Sequence, residues 1–511
     1  MSYILAYDLG TGGLKASLFD ENGISGASAF RPCDTYYPET DFREQDPDSW
    51  WQILLDSTKE LLDGGISASD IACIAISGHS LGAVPIGRDG LLSSRVPIWS
   101  DSRAEEEAQD FFSRVDEKDW YLTTGNGFHA PLYSIFKIMW IMRHQPEIYE
   151  RTEKFVGTKD YLNYKLTGQI ATDYSYASGS GVFDLLKRCY RADYIEASGI
   201  EENKLAQPAA STALAGKVSR EAAALTGLLE GTPVVCGGVD NGCMALGAGC
   251  FGEGEVYTSL GTSAWVAASS SKPIVEYGSR PYVFAHCVPG MYVSATAIYS
   301  AGSAFAWLRD VMCQDLILAQ KNGGVSAYDA MTQLAGTSPV GANGLLFNPS
   351  LAGGSSLDVS PNVRGAFVGL DLRHTRADLI RAALEGICLD LRLALDVLSR
   401  QVTVSDDMLI VGGGGKSAMW RQLFASIYNK NITRIGVGQD AGALGAAALG
   451  AVGVGMWDDF DRLRSICTVR SRIRPIPEDN AKYEKILPVF EKLAENQCYV
   501  AGLMSDLNEK E

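Results

Sequence analysis

Apolar residues along this chain fall in short runs separated by turn-forming clusters, and the runs alternate between strand-like and helix-like spacing. Tyr3–Tyr7 is apolar, Asp8-Leu9-Gly10-Thr11-Gly12-Gly13 is a turn cluster, Leu14–Phe19 is apolar again, and Asp20-Glu21-Asn22-Gly23 forms a second turn. This order predicts a β-hairpin followed by a return strand. Trp50–Asp63 has helical spacing and stops at Gly64-Gly65. Ile71–Ile76 reads as a buried strand entering the loop Ser77-Gly78-His79-Ser80. Pro131–His144 reads as an amphipathic helix, and Pro233–Cys236 as a strand feeding the loop Gly237-Gly238-Val239-Asp240-Asn241-Gly242.

Near the midpoint, Glu255–Ser259, the turn Leu260-Gly261-Thr262-Ser263 and Ala264–Ala268 repeat the opening strand–turn–strand plan, with Leu-Gly-Thr in both turns. Alternating strands and helices follow each copy. A duplication of this kind predicts two similar α/β domains facing each other, residues 1–247 and 248–511. In the second half, Met408–Val411 is a buried strand entering Gly412–Ser417, and Met419–Tyr428 a helix. The uncharged stretch Ala441–Trp457 is rich in Gly and Ala and short for a membrane span, so it reads as a packed core helix and turn. From Pro477 onward the pattern predicts one or two helices.

Composition narrows the function classes. The chain has 511 residues, 46% hydrophobic and 21% charged, which excludes a disordered or fibrous protein. Its net charge of −17 repels nucleic acid and anionic membranes, yet leaves room for a nucleotide held by backbone amides and Mg²⁺. The 11 cysteines have no CxxC pair and read as reduced thiols, and a structural zinc site has little support. The opening MSYILAYDLG has no basic segment followed by a long apolar stretch, so no signal peptide is expected and the cytoplasm is the expected compartment.

Several loops carry candidate chemistry. Asp8, Gly10, Thr11, Gly12 and Lys15 put a carboxylate, glycines that admit close backbone approach, a hydroxyl and a cation on one hairpin. That set suits a Mg-phosphate complex, although a plain hairpin turn has the same pattern. Gly412–Ser417 is not a P-loop, because that motif needs glycine where Ile410 stands. Gly247, Gly249 and Gly252 have dinucleotide-fingerprint spacing but read as turn glycines. Asp240 ends a buried strand, where α/β proteins place ligand chemistry; its plain alternative is a helix N-cap. Asp101 and Arg103 after Trp99 suit charge-assisted bonds to sugar hydroxyls, with a surface ion pair as the alternative.

These motifs together resemble the FGGY carbohydrate kinases. "GAFVGLDLRHTRADLIRAALE", Gly365 to Glu385, fits that family's C-terminal signature at Gly365, Phe367, Gly369, Leu370, Asp378, Leu379, Ala382, Ala383, Leu384 and Glu385. Ser134, Lys137, Trp140 and His144 fit the N-terminal signature, which the chain leaves at Leu132. The resemblance implies a duplicated actin-like, ribonuclease-H-like ATPase fold with a catalytic cleft between its domains. It implies ATP and Mg²⁺ as cofactors, a small sugar as the partner molecule, and a homodimer as a common assembly. By resemblance Asp240 is the catalytic base, with Asn241 beside it on the sugar. Asp8 serves Mg²⁺ through water; Gly10, Thr11, Gly12 and Lys15 form the first phosphate loop. Gly261, Thr262 and Ser263 form the second, and Gly413, Gly414 and Lys416 the adenosine site. His79, Ser80, Trp99, Asp101 and Arg103 complete the sugar side.

Within the family, "FREQDPDSWW", "TGNGFHAP", "RHQPEIY" and "GGGGKSAMWRQLFASI" are similar to xylulose kinases, which implies D-xylulose as the substrate. The substrate loop departs: Gly78-His79-Ser80-Leu81-Gly82 stands where those kinases have Gly-Gln-Met-His-Gly. Ribulose, another ketose, a sugar acid or a polyol are the alternatives. An actin-like ATPase or a sugar-binding regulator without catalysis are the alternatives of another class.

Overall fold

The first apolar runs fold as an antiparallel meander of β1 (Tyr3–Gly10), β2 (Gly13–Asp20) and β3 (Ser25–Pro32). We describe it from a computed structural model that covers residues 2–508, apart from 356, 359, 361 and 437–439. Gly10 pairs with Gly13, so Thr11 and Gly12 alone make the turn. Gly13 has φ +147°, and a side chain there would run into the Arg31 carbonyl of β3. This is the hairpin predicted for Asp8–Gly13, with strands that extend into the turn cluster.

The chain forms two units. The first comprises Met1–Gly252, Ser269–Ser294 and Gln439–Thr468, and the second Glu253–Ala268, Ala295–Gly438 and Val469–Glu511. In the first unit, β4 (Ile71–Gly78) pairs with β1 in parallel, placing Asp8 opposite Ser77. The sheet continues from β4 to β6 (Pro233–Val235) and β5 (Leu214–Lys217), and β7 (Gly238–Val239) pairs with the end of β4. Helices cover both faces, which is why these strands are continuous apolar runs. On one face Leu5, Tyr7, Leu9, Ile74 and Ile76 pack with Trp50 and Leu54 of α1 (Pro47–Asp63). Helix α1 starts three residues before the expected Trp50, because Asp46 caps the Asp48 amide and Pro47 needs no donor there. Helix α2 (Ser134–His144) is shorter than its pattern: Tyr133 is extended, so Ala130–Leu132 becomes a separate 3₁₀ turn. Helices α3 (Thr158–Thr167) and α4 (Asp240–Gly247) follow, and α4 takes over the second half of the predicted Gly237–Gly242 loop.

In the second unit, β9 (Ala264–Ser270), β8 (Val256–Leu260), β10 (Asp407–Val411), β11 (Asn431–Ile435) and β12 (Val469–Ile473) are successive neighbours in another sheet. The β8–β9 pair is antiparallel and β10 joins β8 in parallel, as in the β2–β1–β4 arrangement. Helix α5 (Arg376–Ser399) buries most of its length, and α6 (Ala418–Tyr428) follows the Gly412–Ser417 turn. The chain then returns to the first unit as α7 (Ala441–Gly453), and the tail is one helix, α8 (Pro477–Asn508), with Pro488 inside it.

Helix α7 packs on the second face of the first sheet, where Gly450 meets Ile4, Cys73 and Ala75. It also crosses α4 at backbone contact. A Cβ on Gly445 would run into the Cys243 carbonyl, and one on Gly247 into the Ala441 carbonyl. The uncharged stretch is thus a core helix, and among the described residues no helix is long and apolar enough to cross a membrane. Gly445→Ala should destabilise the protein by about 1–3 kcal/mol through overpacking, read as a lower denaturant midpoint at unchanged slope.

Candidate active site

Alternation along β1 puts Asp8 on the face of Ile4 and Ala6, toward α7. Ser77 donates its hydroxyl to Asp8 Oδ1 at 2.7 Å. A Cβ on Gly442 would lie 2.6 Å from Asp8 Oδ2, so only glycine at the start of α7 lets the carboxylate sit there. The positive end of that helix favours negative charge at this spot. Desolvation raises the Asp8 pKa, the Ser77 bond and Lys15 charge lower it, and Asp440 raises it. Lys15, opposite Asp8 in the hairpin, pairs with Asp440 just before α7.

Asp240 reaches the same end of the sheet by a different route. After β6 the chain turns at Gly237, φ +71°, where a side chain would run into the Ile76 carbonyl. Strand β7 then pairs Gly238 with Ser77 and Val239 with Gly78, and α4 begins at Asp240 itself. The N-cap position falls on Val239, so Asp240 does not cap the helix. Its Oδ1 accepts the Asn241 amide at 2.7 Å. Protein crowds the half-buried carboxyl and pushes its pKa up to about 7; the Asp8 charge adds to the rise and the Asn241 amide opposes it. The structure therefore brings Asp8, Lys15, Asp240 and Asn241 together.

Trp99 joins them through Thr11: its indole N–H donates to Thr11 Oγ1 at 2.8 Å while the ring stays 40% exposed. Gly10 and Gly12 frame that turn. His79 and Ser80 are buried at the end of β4. The His79 peptide is fixed by the Leu9 carbonyl at 3.1 Å and the Thr158 hydroxyl at 2.7 Å. Its ring stands edge-on to Trp50, and neither ring nitrogen has a hydrogen-bond partner among the described residues. Burial and the nearby Lys137 charge push its pKa down to about 3, so the imidazole is neutral.

Lys137, a signature residue, is itself buried and donates to the carbonyls of Leu81 (2.8 Å), Ile98 (2.6 Å) and Leu132 (2.8 Å). Leu81 sits at φ +62°, an unfavourable conformation for leucine that this bond helps hold. Asp101 and Arg103 are not a surface ion pair. Asp101 is fully buried and accepts Arg103 Nε at 2.8 Å, Arg103 Nη2 at 2.7 Å and the Arg43 amide at 2.6 Å. Arg103 also reaches Glu44 at 2.7 Å and lies over Phe42 and Trp140. This pair braces the chain around Trp99 from inside.

The remaining candidates lie in the second unit. Gly261, Thr262 and Ser263 form the β8–β9 turn, fixed by the Gly302 amide on the Gly261 carbonyl at 2.9 Å and the Ser303 amide on the Thr262 carbonyl at 3.0 Å. Gly412, φ +91°, would place a Cβ 2.5 Å from the Leu260 carbonyl, and Gly414 packs on the Leu260 side chain. The Gly413, Gly414 and Lys416 loop therefore sits beside the Gly261–Ser263 turn, with Lys416 exposed. Sequence reasoning missed Ser77, Asp440 and Gly442; the only signal for Gly442 was a glycine heading an Ala-rich helix.

The donor set fits Mg²⁺. Among the described residues no three His, Cys, Asp or Glu side chains form a cage. One or two carboxylates suit a cation that keeps its waters and completes its shell with phosphate oxygens.

The description "FGGY family of carbohydrate kinases, N-terminal domain" matches residues 3–247, and "FGGY family of carbohydrate kinases, C-terminal domain" residues 256–454. The chain is 30% identical to the xylulose kinase of Lactococcus lactis over 100% of both chains. It is also 30% identical to the gluconokinase of Bacillus licheniformis over 96% of each. The ligand-bound xylulose kinase of Lactobacillus acidophilus superposes with a TM-score of 0.89 at 25% identity, covering 96% of this chain and 98% of that one.

Because the Asp240 pKa is raised in the folded state, folding takes up a proton between the unfolded value near 4 and about 7. This contribution favours the fold at low pH and is lost as pH rises through 7. Asp240→Asn should therefore be more stable than the parent by about 1–3 kcal/mol at pH 8 and no more stable at pH 4. Urea unfolding at the two pH values checks this.

Proposed function

The chain belongs to the FGGY family of carbohydrate kinases, and on that premise we propose that it transfers the γ-phosphoryl group of Mg-ATP to the terminal hydroxyl of D-xylulose. The observation that carries the reaction is Asp240: a half-buried carboxyl at a strand–helix junction whose pKa lies near the operating pH. Several relatives named xylulose kinase support the substrate. A relative named gluconokinase at equal identity, together with the altered 78–82 loop, favours gluconate as the second reading.

Residues 1–247 hold the sugar, through His79, Ser80, Trp99 and Asn241, with Asp101 and Arg103 bracing that side. Residues 248–511 hold the nucleotide, through Gly413, Gly414 and Lys416 at the adenosine. Gly10, Thr11, Gly12 and Lys15, with Gly261, Thr262 and Ser263, direct amides, hydroxyls and a cation at phosphate oxygens. Asp8 holds Mg²⁺ through water, and the bound ion supplies charge neutralisation on the phosphoryl oxygens. As the sugar oxygen bonds to the γ-phosphorus, the bond to the bridging oxygen breaks and ADP leaves. The hydroxyl proton passes to Asp240, which contributes roughly 10²–10⁴-fold. Positioning by the loops accounts for most of the rest.

ADP release with Mg-ATP should be strongest on D-xylulose in a panel with D- and L-ribulose, gluconate, glycerol and erythritol. Preference for gluconate would replace the substrate and leave the kinase chemistry standing. Asp240→Ala should fold and bind ATP but lose at least about 10²-fold in kcat. In the parent, kcat/KM should fall as pH drops below about 7, because a protonated Asp240 cannot accept the hydroxyl proton.

A further inference from the structure

Behind the β6–α4 junction lies a charge cluster sealed from solvent. Lys159, in the first turn of α3, places Nζ 2.5 Å from Asp160 Oδ1 and 2.9 Å from Asp173 Oδ1. It also donates to the Cys236 carbonyl at 3.2 Å, and Asn163 donates to the same carbonyl at 2.9 Å. Lys159, Asp160 and Asp173 are all 0% exposed. A buried ion cluster is a poor source of stability compared with apolar packing, so its contribution here is sought in geometry.

The cluster is linked by hydrogen bonds to the residue before Asp240. Asp173 Oδ2 accepts the Ser175 hydroxyl at 2.5 Å, the Ser175 amide at 2.9 Å and the Ser211 hydroxyl at 2.7 Å. With its proton directed at Asp173, Ser175 Oγ turns its lone pairs outward and accepts the Val239 amide at 2.9 Å. Val239 is the N-cap of α4, immediately before Asp240. The Gly237 amide on the Ser211 carbonyl at 3.0 Å holds the other end of the same turn. The chain Lys159–Asp173–Ser175–Val239 thus joins a fixed charge pair to the backbone that carries Asp240.

We propose that Ser175 is a positioning residue for Asp240: its hydroxyl, aligned by Asp173 and Lys159, fixes the Val239 peptide and so the direction in which the Asp240 carboxylate meets the sugar hydroxyl. This rests on Asp240 being the base. A small misplacement of a reacting group is costly, whereas ground-state binding of sugar and nucleotide does not need that alignment.

The test compares full-length parent, Ser175→Ala, Ser175→Thr and Asp240→Ala with Mg-ATP and D-xylulose, or gluconate if the panel selects it, alongside thermal melting. Ser175→Ala is expected to lower kcat by about 10- to 100-fold, to leave both KM values within about twofold, and to melt cooperatively near the parent temperature. Ser175→Thr, which restores the hydroxyl, should recover most of the loss. Turnover by Ser175→Ala within about twofold of the parent, with Asp240→Ala inactive, would overturn the proposal and leave the base assignment standing. A loss of kcat accompanied by raised KM for both substrates, impaired melting and no recovery in Ser175→Thr would reduce Ser175 to a folding role. Activity in Asp240→Ala would overturn the base assignment itself.

Discussion

Two carboxylates held in each other's field at one end of a sheet form the constraint around which the first unit is arranged. Burial raises the cost of ionising both, and the Asp8 charge adds to the cost for Asp240. The structure answers with local devices. Ser77 bonds Asp8, the Asn241 amide bonds Asp240, and the start of α7 faces Asp8 through a glycine that leaves room for it. The strained turn at Gly237 and the two-residue β7 fix where Asp240 can stand. The reaction we propose gains from this, because a base whose pKa lies near 7 can both take and release a proton during turnover.

Much of this was legible in the sequence, for reasons that are local. The two Leu-Gly-Thr turns encode hairpins, and the apolar runs encode strands covered on both faces. Asp240 stood out as a lone carboxylate among apolar and Gly residues at a strand end, with a helix N-cap as the plain alternative and the base role implied by the family resemblance. The N-cap alternative is not met, since β7 prolongs the sheet and moves the cap to Val239. What the sequence pattern hid is long-range partnership. Nothing local marks Gly442 as the residue facing Asp8, or Ser175 as the acceptor for the Val239 amide. For Asp101 and Arg103 the sequence left sugar contacts and a surface ion pair both open; only the fold places Phe42, Trp140 and Glu44 around Arg103.

The proposed sugar side shows how side chains can change while the backbone that carries them stays in place. Lys137 grips the carbonyls of Leu81, Ile98 and Leu132, tying the 78–82 loop to the segment leading to Trp99. Those bonds are to main-chain atoms and are indifferent to which side chains the loop displays. The scaffold can therefore hold His79-Ser80-Leu81 where xylulose kinases usually carry Gln-Met-His.

The discontinuity of the first unit has a consequence for biosynthesis. A chain emerging from the ribosome completes β1 to α4 by residue 247, yet the face of the sheet bearing Ile4, Cys73 and Ala75 lacks α7 until Ala441–Gly453 appears. Through the whole synthesis of the intervening segment, an apolar sheet face and the Asp8 carboxylate await a helix not yet made. Domains generally fold as units during synthesis, but here the N-terminal one cannot close first. The docking of α7 decides when the first unit becomes native.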